Sequence, residues 1–270
     1  MRVATFNLHA GVDGRGRLTN ARDTVLGITP DLVFLQELWR GDASPEPASD
    51  DFAYLCDHLR LEGHYEALAQ CERVTRGVGG KSWASPLGLI FGDRGLFYLG
   101  ERPLSKRRRR LLEQSKGVQS GTWGIALLTT MRIDELRTVD LPARRRDKVR
   151  RVLIVARLND GTRSFYAVAV HGPHLSHGSL LQYRQVAREL DTLSKELPVL
   201  VGGDFNCWRP LLRVVLPKWR TLVRARTWPA HRPHSQIDHL LSRGPWLGSN
   251  ARTVRGTSDH RALVVDLTLS

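Results

Sequence analysis

The chain predicts an α/β fold in which buried strands outnumber helices, and three observations carry that expectation. Short apolar runs recur that end in polar residues, as in Leu197-Pro198-Val199-Leu200-Val201-Gly202-Gly203-Asp204-Phe205-Asn206. A run of this length without alternation reads as a strand buried on both faces. Asn159-Asp160-Gly161 stands between two apolar-rich runs, which predicts an antiparallel hairpin over residues 152–170. Apolar residues at 180, 183, 186, 187, 190 and 193 keep helical spacing across residues 179–195.

Taken in order, a first strand over residues 3–7 ends at Asn7 and gives way to a glycine-rich loop. That loop does not open a helix in Gly-x-Gly-x-x-Gly spacing, so a dinucleotide site is not expected. Residues 20–28 fit a short amphipathic helix closed by Pro30, and a second strand over 32–37 would present Glu37 at its end. A hard cation takes carboxylate oxygen, so Glu37 is a metal-ligand candidate; its structural alternative is an ion pair with Arg40. A helix from 52 to about 61, a segment over 67–74 and a hairpin-like pair near 87–91 and 96–99 follow, then a strand at 124–129. Beyond the 152–170 hairpin comes His171-Gly172-Pro173-His174-Leu175-Ser176-His177. Gly172-Pro173 forbids the helix that would align these histidines, so a zinc site is not expected. In the strand that follows, Gly202 and Gly203 would permit a sharp turn and a close approach, and alternation would put Asp204 and Asn206 on one side. Residues 210–216 fit a short helix, and strands are expected over 237–241 and 262–267. His239 would point away from Asp238 and pack as a core histidine.

The 270 residues are 41% apolar, enough for one well-filled core. No repeat or linker divides the chain, and a single domain over residues 1–270 is expected. No apolar run approaches the length of a membrane span, and no charged and apolar leader precedes the first strand, so neither a transmembrane segment nor a signal peptide is expected. Cys56, Cys71 and Cys207 are odd in number and lack metal-ligand spacing. Reduced thiols and a cytoplasmic (or nucleoid or nuclear) protein follow as expectations.

The net charge of +14 is concentrated: residues 101–151 hold 15 Lys/Arg against 6 Asp/Glu, and residues 205–262 hold 11 against 2. The first segment contains Arg107, Arg108, Arg109 and Arg110, and then Arg144, Arg145 and Arg146. Such runs suit a substrate clamp on phosphates, a targeting signal or a solvated loop. Residues 224–235 mix Arg224, Arg226 and Arg232 with Trp228, His231 and His234, which suits single-strand stacking or groove contact and equally an ordinary surface loop.

In one order along nearly the whole chain stand Asn7 at a strand end, Gln36-Glu37, Gly124-Ile125-Ala126-Leu127-Leu128-Thr129, Gly203-Asp204-Phe205-Asn206, Ile237-Asp238-His239 and Ser258-Asp259-His260. Together they resemble the endonuclease/exonuclease/phosphatase superfamily with its deoxyribonuclease-like fold. The resemblance implies a four-layer α/β sandwich, two mainly antiparallel sheets packed face to face with helices outside. It implies Glu37 as the ligand of Mg²⁺, with Mn²⁺ as the alternative, and Asn7 and Asp259 completing or bracing the shell. His9 stands where some relatives carry an acidic residue. His260 and Asp238 would form an imidazole–carboxylate pair, with either His260 or Asp204 taking a proton from water. Asn206 and either His171 or His174 would contact the phosphate. The implied activity is a metal-dependent nuclease, endo- or exonucleolytic, acting as a monomer on DNA or RNA. The alternatives are hydrolysis of inositol phosphates, phospholipids or small phosphodiesters, and a catalytically silent nucleic-acid binder.

Overall fold

The computed structural model describes residues 1–13, 18–41, 50–75, 117–142, 149–173 and 180–270. In chain order the strands of the first half are β1 (Arg2–Asn7), β2 (Leu32–Gly41), β3 (Glu62–Thr75), β4 (Gly117–Thr129) and β5 (Arg132–Asp140). The second half adds β6 (Val152–Asn159), β7 (Ser164–His171), β8 (Val199–Asp204), β9 (Arg220–Thr221), β10 (Asp238–Arg243), β11 (Trp246–Arg255) and β12 (Arg261–Leu269). The helices are α1 (Arg22–Ile28), α2 (Asp51–Leu59), α3 (Leu180–Leu193) and α4 (Arg209–Val215).

The strands form two six-stranded sheets, ordered β11-β12-β1-β2-β4-β3 and β5-β6-β7-β8-β10-β9. Each has one parallel pair at its centre, β1 with β2 and β7 with β8, and antiparallel pairs elsewhere. A parallel pair needs a crossover, and α1 and α3 supply the two. Since both strands of a parallel pair point the same way, each pair delivers two C-terminal ends to one edge of its sheet.

Three apolar clusters fix the layers. Val3, Phe34, Ile154, Ala169, Leu200, Leu240 and Leu263 belong to the cluster between the sheets. Tyr183, Val186 and Leu190 of α3 pack with Val168, Val201 and Leu241 on the outer face of the second sheet. Val25 of α1 and Leu55 of α2 pack with Ala4, Val33, Leu35 and Val264 on the outer face of the first. The result is a four-layer α/β sandwich with both sheets mainly antiparallel.

Local chemistry explains most element boundaries. The β6–β7 turn is closed by Asn159 Oδ1 accepting from Gly161 N–H at 2.8 Å, with Gly161 at φ +97°. Asp50 caps α2, its Oδ1 accepting from Phe52 and Ala53 N–H at 3.0 Å. Arg40 donates to that same Asp50 at 2.8 Å, so the alternative ion pair with Glu37 is not made.

Two expectations are corrected here. Gly202 and Gly203 do not turn; both lie within β8. Their use is close approach: a Cβ on Gly202 would lie 2.0 Å from Phe34 Cδ2, because the Phe34 ring of the first sheet fills the space over it. Glu37 is not at a strand end either, since β2 runs on to Gly41. The hairpin-like pair near residues 87–91 and 96–99 lies outside the described residues.

Two alanine substitutions should move stability in opposite directions. Gly202→Ala must push Phe34 aside between the sheets, and overpacking of this kind costs about 1–3 kcal/mol. Gly27→Ala, where nothing lies within 4 Å of the added methyl, should stabilise α1 by about 0.5–1 kcal/mol. Denaturant midpoints of the two variants against the parent check both signs.

Candidate active site

The site is assembled where the two parallel pairs present their C-terminal ends to each other. In the second sheet, His171 of β7 is in register with Asp204 of β8, and Asp204 with Asp238 of β10. The three side chains therefore stand in one row, on the face whose other members pack between the sheets. In the first sheet, Asn7 closes β1 on the same inner face as Val3. Strict alternation from Phe34 would send Glu37 outward to the helices. A β-bulge intervenes: the β2–β4 register shifts between Gln36 and Leu38, and Glu37 sits at φ 55°. The left-handed backbone costs a non-glycine residue roughly 1–2 kcal/mol, and here it turns the carboxylate inward.

Asn7 then joins the two sheets. Its Nδ2 donates to Glu37 Oε1 at 2.7 Å and to Asp204 Oδ2 at 3.0 Å. Its Oδ1 accepts from His9 N–H at 2.9 Å, and its backbone carbonyl accepts from Ser258 Oγ at 2.7 Å. Both ends of the amide are thus used by the protein, which fits bracing rather than metal ligation. His171 Nε2 lies 3.7 Å from Glu37 Oε1 and 4.0 Å from Asp204 Oδ2.

His260 is held from below. Its Nδ1 is 2.9 and 3.1 Å from the two oxygens of Asp238, an acceptor pair that orients the ring and favours the proton on Nδ1. Nε2 then faces Asp204 Oδ2 and Asp259 Oδ1, each 3.9 Å away. Asp259 itself accepts from Trp228 Nε1 at 3.2 Å through Oδ2, while Oδ1 lies 3.3 Å from His9 Nδ1. The buried His9 thus gives Asp259 an imidazole neighbour.

Asn206 reaches the site by a different route from the one strand alternation predicts. β8 ends at Asp204, whose Oδ1 accepts from Asn206 N–H at 2.7 Å, and the chain turns with Asn206 at φ 49°. Asn206 Nδ2 then donates to Gly172 O at 3.1 Å and stands 3.5 Å from His171 Nε2. The turn is pinned from outside by Tyr183 of α3, which donates to the carbonyls of Phe205 and Pro173. His239, buried on the outer face as expected, completes the pinning with Nε2 2.9 Å from Cys207 O.

Burial dominates the electrostatics. It pushes Glu37 well above the ordinary carboxylate range against the pull of His260 and Asn7. Burial, then the nearby Asp238, raises Asp204 to about 7. Burial alone would lower His260, but Asp238, Asp259 and Asp204 outweigh it and hold the imidazole well above its usual value. His171 is pushed well below, by burial and then by Arg151 and His260. Converging carboxylates with raised proton affinity are what a cation would relieve. Among the described residues, two sets place a ligand atom from each member within 4.8 Å of the others: Glu37, His171 and Asp204, and Asp204, Asp238 and His260. Glu37 Oε2 is buried without a hydrogen-bond partner. An orphaned carboxylate oxygen in a set dominated by oxygen donors fits a divalent cation.

The structure thus brings Asn7, Glu37, His171, Asp204, Asn206, Asp238, Asp259 and His260 together. Asp259 stands outside both potential metal sets. His174, Arg107, Arg108, Arg109, Arg110, Arg144, Arg145 and Arg146 lie outside the described residues. Sequence reasoning gave no supporting role to Ser258, which it read only as part of its motif, to Trp228, read only as a groove or surface residue, or to Tyr183, read only within the helical spacing.

The sequence model of the Endonuclease/Exonuclease/phosphatase family matches residues 4–260. Among solved structures, the chain is similar to an endonuclease/exonuclease/phosphatase family protein from Leptotrichia buccalis, at 11% identity and TM-score 0.67 over 100% of each chain. It is similar to the human Nocturnin catalytic domain with bound sulfate anion, at 16% identity and TM-score 0.64, covering 100% of this chain and 93% of that one. It is also similar to a Bacteroides thetaiotaomicron mannosyl-6-phosphatase, at 14% identity and TM-score 0.62 over 100% of each chain. At these identities the likeness is one of fold. No curated protein matches. Among the described residues, no helix is long and apolar enough to cross a membrane.

The pKa shifts predict how a cation would act on stability. In the unfolded chain Glu37 and Asp204 ionise near the ordinary carboxylate value, whereas in the fold they keep their protons to higher pH. The folded state therefore binds more protons between about pH 4 and 7, and the metal-free protein should lose stability as pH rises through that window. A divalent cation needs both groups ionised, so its stabilising effect should grow over the same window. Melting temperatures in Mg²⁺ and in EDTA should differ little at pH 5 and clearly at pH 8. Equal differences at both values would place any bound cation elsewhere.

Proposed function

We propose that this chain, which belongs to the Endonuclease/Exonuclease/phosphatase family, is a Mg²⁺-dependent phosphodiester hydrolase acting on DNA or RNA, with Mn²⁺ as a substitute ion. The observation that carries the reading is the buried, partnerless Glu37 Oε2 in a carboxylate cluster that also faces a carboxylate-held imidazole. Glu37, with Asp204 and His171 in reach, would hold the ion, and Asn7 would brace Glu37 and Asp204. When bound, the ion supplies charge neutralisation at the phosphoryl oxygens and lowers the pKa of a water.

The chain's own groups then divide the proton work. Asp204, whose carboxylate faces His260 Nε2 at 3.9 Å, would accept the proton of the attacking water. His260 is kept as imidazolium by Asp238 and directs Nε2–H at the charge that builds on the phosphoryl oxygens. Asn206 Nδ2, 3.5 Å from His171 Nε2, would contact a remaining phosphoryl oxygen. No described Ser or Cys lies beside a general base in this cluster, which favours direct attack by water over a covalent intermediate. The strongly basic segments favour a polyanionic substrate over a small phosphoester.

The test is hydrolysis of oligodeoxynucleotide, RNA, a phosphoinositide and a sugar phosphate by the pure protein, with Mg²⁺ and with EDTA. Mg²⁺-dependent cleavage of DNA or RNA is expected. Release of phosphate from the small esters alone would move the protein to the phosphatase reading. Glu37→Gln should lower kcat/KM by about 100-fold or more with the fold intact, since a ligand oxygen is lost. Asp238→Asn and His260→Ala should each cost about 10²–10⁴-fold. Because Asp238 acts through His260, the double variant should be within about tenfold of the worse single one. Full multiplication of the two losses would show that they act separately.

A further inference from the structure

Residues 224–235 form a loop that is built into the site rather than draped beside it. Its two arms close on each other, with Thr227 N–H donating to Ser235 O at 2.8 Å and His234 N–H to Trp228 O at 3.1 Å. One bolt runs to Asp259, through Trp228 Nε1 to Oδ2 at 3.2 Å and Ala230 N–H to the Asp259 carbonyl at 2.6 Å. A second runs to the start of β10, where Thr227 Oγ1 accepts from Asp238 N–H at 3.4 Å. Arg261 locks the arrangement, donating from its backbone N–H to Thr227 O and from Nε to Ala230 O, both at 2.9 Å.

Arg224, Arg226 and Arg232 project from this scaffold into solvent, and among the described residues none of them makes an ion pair. The surrounding charge is one-sided for a specific reason. Residues 205–262 contain 11 Lys/Arg and only 2 Asp/Glu, and those two are Asp238 and Asp259, both turned into the site. Neither acid of this segment offsets the exposed Lys and Arg residues on its outer surface. The three guanidinium groups are thus exposed on a loop that is bonded to Asp238 and Asp259 of the site. Binding of a polyanion to such groups is favoured by release of its counterions.

We infer that this loop is a phosphate-tracking wall, with Arg224, Arg226 and Arg232 contacting phosphates of a polynucleotide next to the one being cleaved. The inference rests on the nuclease reading of the site and deepens it, since a lone phosphomonoester has no second phosphate to offer. Phosphate contacts carry no sequence information, so the wall should be indifferent to base sequence.

The test compares the parent with the triple variants R224S/R226S/R232S and R224K/R226K/R232K, after melting curves establish that all three fold. Binding of labelled 12-nucleotide DNA and RNA is measured by anisotropy in EDTA over a range of salt. Each lost phosphate contact removes about 0.7–0.9 from the slope of log affinity against log salt. The Ser variant should therefore have a slope shallower by about 2 to 3 and a dissociation constant raised about tenfold or more. The Lys variant should keep most of the slope, because charge rather than shape is being read. The ratio of kcat/KM for the 12-mer to that for a dinucleotide should fall about tenfold in the Ser variant. An unchanged salt slope overturns the wall, even if the parent cleaves DNA and RNA normally. Loss of phosphoinositide-vesicle binding with oligonucleotide binding intact overturns it as well, in favour of a lipid surface. If the parent cleaves no nucleic acid, the nuclease reading fails by itself, and the anisotropy slopes still decide whether the loop binds one.

Discussion

The side-chain amide of Asn7 donates to two carboxylates that come from opposite sheets, Glu37 at 2.7 Å and Asp204 at 3.0 Å. Two buried acids brought this close repel when ionised and are costly to desolvate. One amide with two N–H groups lets them share a donor, and it can do so only if the sheets sit at a fixed spacing. Gly202 sets that spacing locally, since its missing side chain lets the Phe34 ring close over β8 just below Asp204. The remaining geometry follows from the parallel pairs: Asn7, His171 and Asp204 stand at strand ends turned toward the cleft, and Glu37 joins them from within β2 through its bulge. What the amide cannot do is neutralise the charge. Glu37 keeps a buried oxygen without a partner, and that residual demand is the physical case for a cation.

Around this centre the fold separates chemistry from support by sheet face. On β10, Asp238 points inward and orients His260, while His239 points outward and pins the carbonyl of Cys207. Tyr183 acts from the helix layer on the same turn through Phe205 and Pro173. Asn206 is therefore held from two layers, although its own backbone is left-handed. Ser258 ties the last motif to the first by donating to the Asn7 carbonyl. That bond spans 251 residues of sequence and adds to the β1–β12 pairing that already joins the two ends of the chain.

The buried elements were legible in the sequence and the exposed edges were not. β1, β6, β7, β8 and β12 announce themselves as apolar runs because both their faces are covered. β5 and β11 are edge strands, largely exposed, with no apolar alternation to read. In the site, the residue types were legible because each motif couples a strand to a polar terminus. Their routes into the site were less so. Glu37 arrives by a bulge that reverses the facing alternation predicts, and Asn206 arrives by a turn built on Asp204. Both are backbone events that depend on the partner strand or on a side-chain hydrogen bond, and neither leaves a periodic trace. The Trp228 bond to Asp259 likewise needs a loop to fold across 31 residues of sequence.

The central claim is that carboxylates from both sheets, braced by Asn7, form one divalent-metal site. Anomalous diffraction from crystals soaked in Mn²⁺ tests it most directly, because it locates the ion without reference to any substrate. The account predicts a peak within coordinating distance of Glu37 Oε2 in the parent and its loss in Glu37→Gln. A peak on other residues with Glu37 left unliganded, or one that persists unchanged in Glu37→Gln, would contradict it.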